Sequence, residues 1–152
     1  MVTVYHGSYC VIENPKISIS KYNKDFGTGF YCTELQAQAD KWAKRFDTPI
    51  VSIFDFITQS GLDRLTFSEM TDDWLDFIVA CRSGKQHNYD IVEGAMANDQ
   101  IWNYIADYIS GILSREQFWV LAKFKYPTHQ IAFCSRRSLK YLRYLGNYEV
   151  AI

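Results

Sequence analysis

Val2-Thr3-Val4-Tyr5 sets β-branched and aromatic residues side by side, and predicts a strand that runs out at His6-Gly7-Ser8. Residues 12–24 lose that pattern. They contain Pro15 and the polar stretch Ser18-Ile19-Ser20-Lys21, and read as an extended connection of a length that small domains usually put to use. The turn Asp25-Phe26-Gly27-Thr28-Gly29 then leads into a short strand over 29–32. Successive strand side chains face opposite ways, so Phe30 and Tyr31 cannot both be core, and one of them is offered to something else. Thr33 with Gln36 has the spacing of a capping box. The helix it predicts, over 34–46, places Leu35, Ala39, Trp42, Ala43 and Phe46 on one core-facing stripe.

Pro49 stops that helix, and Ile50-Val51-Ser52-Ile53-Phe54-Asp55-Phe56 reads as a largely buried strand. Gly61 turns the chain into a further strand over 62–67, expected to pair antiparallel with the preceding one because the connection is short. Thr71-Asp72-Asp73 opens a helix that reaches Arg82, with Trp74, Phe77, Ile78 and Cys81 on its buried face and acidic residues at its positive end. Tyr89-Asp90-Ile91-Val92-Glu93-Gly94 predicts a strand and Asn98 caps a helix over 99–110. Ser114 with Gln117 caps another that extends to 124, ahead of the helix-breaking Pro127. A strand over 129–134, a short helix over 136–142 and a strand over 144–150 complete the chain. No repeat or linker divides it, and strands do not alternate with helices as a doubly wound sheet requires. The expectation is one α+β domain over 1–152.

Composition narrows the classes. A chain of 152 residues buries roughly two thirds of its unfolded surface and needs no disulfide or metal to fold. Its 48% hydrophobic and 16% aromatic content separates it from disordered chains. Sixteen basic and seventeen acidic residues leave a net charge of −1, so no global field draws in a polyanion, and only the local set Arg136, Arg137, Lys140 and Arg143 offers one a patch. Cys10, Cys32, Cys81 and Cys134 are scattered, without metal-ligand spacing, and read as reduced thiols. No apolar run reaches the ~20 residues of a membrane helix, and the first residues lack a signal-peptide pattern, which predicts a cytoplasmic protein without membrane contact.

Phosphate-cradling glycine loops, paired zinc-site cysteines and the Gly-x-Ser-x-Gly elbow are all absent from the sequence. What remains is Tyr5-His6-Gly7-Ser8, followed some twenty residues later by Asp25-Phe26-Gly27-Thr28-Gly29-Phe30-Tyr31-Cys32-Thr33. Together these resemble the nicotinamide-pocket signature of ADP-ribosyltransferases that carry a His-Tyr-Glu triad. The blocks at 36–43, 73–78, 89–94 and 130–134 are similar to those of a small bacterial ADP-ribosyltransferase-like family often encoded beside an antitoxin-like protein.

That resemblance implies a split sandwich of two small antiparallel sheets with flanking helices and NAD in the cleft between them. It implies that His6 bonds the adenosine-side ribose, that the Gly7 backbone takes the carboxamide, and that Tyr31 stacks on nicotinamide. Ser8, Asp25, Gly27, Gly29 and Phe30 complete the cofactor pocket. At the third triad position, where the family carries Glu, this chain has Gln130, which hydrogen-bonds but cannot act as a base. Asp99 and Glu93 are the nearest carboxylates to take that role. The activity implied is NAD-dependent mono-ADP-ribosyl transfer to a protein or nucleic-acid acceptor, by the toxin of a toxin–antitoxin pair, with NAD as co-substrate and no metal. A catalytically silent NAD- or ADP-ribose-binding module, or a protein-interaction domain, is the alternative.

Overall fold

The computed structural model describes residues 1–17, 23–57, 61–122 and 128–151, apart from the side chain of Asp99. In chain order the elements are β1 (Val2–Ser8), β2 (Phe30–Cys32), α1 (Gln36–Ala43), β3 (Ile50–Phe56), β4 (Arg64–Thr66) and α2 (Asp72–Arg82). They continue with β5 (Ile91–Gly94), α3 (Asp99–Ile109), α4 (Arg115–Ala122), β6 (Gln130–Phe133), α5 (Arg136–Leu139) and β7 (Leu142–Glu149). The strands form two sheets, in the orders β1-β3-β7 and β2-β6-β5-β4. The class is α+β, as the irregular succession of strand and helix patterns predicts.

The inner faces of the two sheets meet. Val4, Phe54 and Phe56 of the first pack on Phe30, Ile91, Ile131 and Phe133 of the second, with Phe56 edge-on to Phe133 at 5.2 Å between ring centroids. Each such side chain contributes roughly 1.5–3 kcal/mol by leaving water. The outer face of the second sheet, through Val92 and Ala132, packs on α2, α3 and α4, where Trp74, Ile78, Ile101, Ile105 and Phe118 are fully buried. The outer face of the first sheet carries α1, whose Ala39 and Ala43 lie on Val51 and Tyr5. Among the described residues no helix is long and apolar enough to cross a membrane.

Local chemistry places most element ends where the sequence predicts. Thr71 Oγ1 accepts from Trp74 N–H, Asn98 Oδ1 accepts from Ile101 N–H at 2.9 Å, and Ser114 and Gln117 satisfy each other's backbone N–H at 3.1 and 2.8 Å. Three expectations fail. The strand at Arg64–Thr66 does not pair with β3; it joins the other sheet, parallel to β5, because α2 carries the chain across between them. The second sheet is therefore mixed, not antiparallel throughout. Thr33 does not cap α1 as half of a capping box: it is fully buried at a bridge between the sheets, its Oγ1 takes Leu35 N–H at 3.0 Å, and Leu35 becomes the N-cap. That helix stops at Ala43, and its expected stripe is buried only at Ala39 and Ala43, while Leu35 and Phe46 are exposed. The predicted polar stretch at 18–21, the helix end at 124 and Pro127 lie outside the described residues.

Candidate functional site

One pair of backbone hydrogen bonds joins the edges of the two sheets: Tyr5 N–H to Thr33 C=O at 2.8 Å, and Thr33 N–H to Tyr5 C=O at 2.9 Å. In an antiparallel ladder a residue that bonds outward at one edge is followed, two positions on, by another facing the same way. Gly7 thus turns its N–H and C=O to the edge that Tyr5 shares with Thr33, beyond the last bond between the sheets. A cleft of about 300 Å³ opens there, walled by His6 and Gly7 on one side and by Asp25, Tyr31 and Gln130 on the other. Gly7 also admits α1 from behind, since a Cβ on it would lie 2.3 Å from Ala39 O.

His6 reaches across the split. Its Nδ1 lies 2.6 Å from Tyr31 O; a carbonyl only accepts, so Nδ1 carries the proton and Nε2 keeps its lone pair. The ring stacks on Phe30 with centroids 4.2 Å apart. Burial pushes its pKa below the usual histidine value, against the bond to Tyr31 and with the help of the Lys24 charge, so the imidazole is neutral at pH 7. The cleft thereby gains a fixed hydrogen-bond acceptor. Tyr31 contributes its ring, with Lys24 Nζ 5.0 Å from the centroid. Its hydroxyl donates to Gly27 O at 2.5 Å and accepts from Phe26 N–H at 3.1 Å, and burial raises its pKa far above the range in which it ionises.

Behind Tyr31, the buried carboxylate of Asp25 accepts four hydrogen bonds from three residues. Oδ1 accepts from Arg82 Nε at 2.8 Å and Nη2 at 2.5 Å, while Oδ2 accepts from Ala97 N–H at 2.9 Å and from Gln130 Nε2 at 3.1 Å. Asp25 is therefore a structural hub of the pocket wall, and Gln130 is anchored on it at the first position of β6, diagonal to Tyr31 on the same sheet face. Lys24, Arg45 and Arg82 also line the cleft, giving three cations to one carboxylate among the described residues.

The remaining predicted residues fall in different places. Phe30 is buried between the sheets, backing His6. Ser8 Oγ donates to Cys10 O at 2.7 Å, closing the bend after β1, and is not on the cleft wall. Gly27 has φ +83° in the turn that carries Asp25, and Gly29 passes so close to β6 that a Cβ would sit 2.9 Å from Phe133 O. Asp99 is the first residue of α3, just after the cleft-lining Asn98, and its side chain lies outside the described residues. Glu93 points elsewhere, bonding Arg64 and, at 2.8 Å, His129 Nε2. His129 Nδ1 accepts from Glu34 N–H at 3.1 Å, which puts the imidazole proton on Nε2 as donor to Glu93. Sequence reasoning assigned Trp42 and Phe46 to the core stripe, yet both line the cleft, as does Arg45. Trp42 stands in the last turn of the helix that presses on Gly7, and Arg45 and Phe46 follow in the turn after it.

Fold and site define an α+β protein with two small sheets, bonded at one corner and parted beyond it to form a cationic, aromatic-lined cleft. The chain belongs to a family described as protein of unknown function (DUF3990), whose model matches residues 2–144. No curated protein and no solved structure matches it.

Proposed function

We propose that the cleft binds NAD and that the protein is an NAD-dependent mono-ADP-ribosyltransferase, acting as a toxin held in check by an antitoxin protein. The observation that carries this reading is the convergence, in one cleft, of a neutral His6 with its tautomer fixed, the open strand edge at Gly7 and the ring of Tyr31. A carboxamide offers one acceptor and donors, the complement of a strand edge with one N–H and one C=O. The His6 Nε2 lone pair suits a ribose hydroxyl, the Tyr31 ring suits a flat heterocycle, and Lys24, Arg45 and Arg82 suit a diphosphate.

In this reading the bond between nicotinamide nitrogen and ribose C1′ breaks with its electron pair leaving on neutral nicotinamide. The acceptor's lone pair forms the new bond at C1′, and the acceptor's proton passes to solvent. The ribose carries positive charge at the transition state, as in glycoside cleavage. Gln130, held by Asp25, orients a ribose hydroxyl without acting as a base. Isothermal titration with NAD should show binding that Tyr31→Ala weakens by about 1–3 kcal/mol, as expected for loss of an aromatic stacking partner. A folded wild-type sample that binds no NAD at millimolar concentration overturns the reading.

One observation favours a second reading, a binding module that does not turn NAD over. Asp25, the carboxylate that lines the cleft among the described residues, is already occupied by Arg82, Ala97 N–H and Gln130, so it is not free to polarise an acceptor. Nicotinamide released during incubation, resolved by chromatography, rules that module out.

A further inference from the structure

Across the turn that carries Asp25 lies a second chamber, of about 410 Å³, which shares Lys24 with the cleft and opens on the other side of Gly27 and Thr28. Its far wall is the end of α2 and the segment Gly84 to His87. Structural bonds consume two of its polar groups. Asn23 Nδ2 donates to Arg82 O at 3.0 Å, and His87 donates from Nε2 to Phe26 O at 2.7 Å while its Nδ1 accepts Tyr89 N–H. What lines the space without such a role is Lys85, with Thr28 and Gln86, while Lys24 lines both spaces and holds its ammonium over the Tyr31 ring.

No carboxylate lines the chamber among the described residues. Its two thiols add no negative charge at pH 7, because burial pushes Cys81 up to about 11 and Cys134 to about 12. Asp25, which faces the cleft, is paired with Arg82. Two cations, a hydroxyl and an amide around a polar hollow make a seat for a compact anion with several acceptor oxygens, and they repel a lysine or arginine side chain.

We propose that this chamber binds a phosphate monoester, borne by the second substrate, with Lys85 and Lys24 as its cationic contacts. That the phosphate-bearing ligand is the acceptor rests on the NAD reading; that the chamber binds phosphate does not. Lys24 borders both spaces, so a ligand in the chamber lies next to whatever the cleft holds.

The test uses the full chain, isotope-labelled, with amide shifts followed by NMR. The probes are inorganic phosphate, 5′-AMP, adenosine and a 5′-phosphorylated oligonucleotide. The expected result is shifts at Thr28 and residues 84–87 with the phosphate-bearing probes and none with adenosine. The relative affinities separate a free nucleotide from a strand end as the source. Lys85→Ala should weaken 5′-AMP binding about tenfold, the scale of one charge-assisted hydrogen bond, and Lys85→Arg should restore most of it. Neither change touches the cleft, so NAD affinity should hold. Phosphate probes that leave residues 84–87 unmoved, adenosine binding as well as 5′-AMP, or an unchanged Lys85→Ala variant each overturn the phosphate site. Displacement of bound 5′-AMP by NAD overturns its assignment to the acceptor, because the chamber would then belong to the donor. Absence of NAD binding beside intact 5′-AMP binding defeats the NAD reading and leaves the phosphate site standing.

Discussion

The two sheets that frame the cleft are held together by different means. The first is made of strands seven, seven and eight residues long, paired antiparallel along their length, and its order follows from alternation and backbone bonding. The second has strands of three or four residues, too short to define themselves by a ladder. Buried carboxylates pin it. Asp25 joins Arg82, Ala97 and Gln130, and Asp90 joins Arg137, Ser135 and the backbone of Asp63. The Arg137 bonds above all hold the Asp90 carboxyl well below the usual carboxylate range. His6 thus stands on a wall fixed by its backbone, whereas Tyr31 and Gln130 stand on one fixed by charge pairing.

The comparison breaks hardest at Asp25. Asp25→Ala leaves Arg82, Ala97 N–H and Gln130 without their partner, and should cost about 3 kcal/mol in urea-monitored stability, the low end for breaking a buried pair because Arg82 remains partly exposed. A loss below about 1 kcal/mol would show that charge pairing does not hold that wall. Next comes Tyr31→Phe, which keeps the ring but frees Gly27 O and Phe26 N–H. It should cost about 1–2 kcal/mol of stability. It should also weaken NAD binding, since the turn that shapes the cleft is released, an effect that ring stacking alone does not give.

His6 sharpens the contrast through pH. Its folded pKa is lowered, so the unfolded chain takes up the proton first. The stability it preserves is complete above about pH 6.5 and is lost as pH falls from there towards the folded value. The slope should approach about 1.4 kcal/mol per pH unit in that window, and His6→Gln should flatten it. The smallest effect belongs to the backbone-built sheet. Arg143→Ala removes an exposed ion pair with Asp55 across β3 and β7, and should change stability by less than about 1 kcal/mol.

This difference also explains what the sequence made legible. The strand at Ile50–Phe56 and the caps at Thr71, Asn98 and Ser114 are local statements, written within a few residues, and all appear as predicted. The pairing of β4 is not local. A short connection argued for a hairpin, but Asp63 N–H is taken by the Asp90 side chain and Phe67 N–H by Glu93 O, both from the segment beyond α2. In the site, the segments at 5–8 and 25–31 were marked by the resemblance that they carry, and His6, Gly7, Asp25 and Tyr31 do line one cleft. That Asp25 is a hub was not, because Arg82 and Gln130 lie 57 and 105 positions away. Ser8 carries an attractive neighbourhood in the sequence and spends its hydroxyl on the next bend.

Gly7 answers to two neighbours at once: α1 leans on the face where a side chain would stand, and the cleft lies along its edge. Any relative with this fold must therefore keep glycine here to seat its helix, whether or not its cleft still works. Among sequences of the family, the glycine traces the descent of the scaffold. If the cleft binds NAD as proposed, a change at His6 or Tyr31 beside an unchanged Gly7 would mark a member that kept the architecture and gave up the ligand.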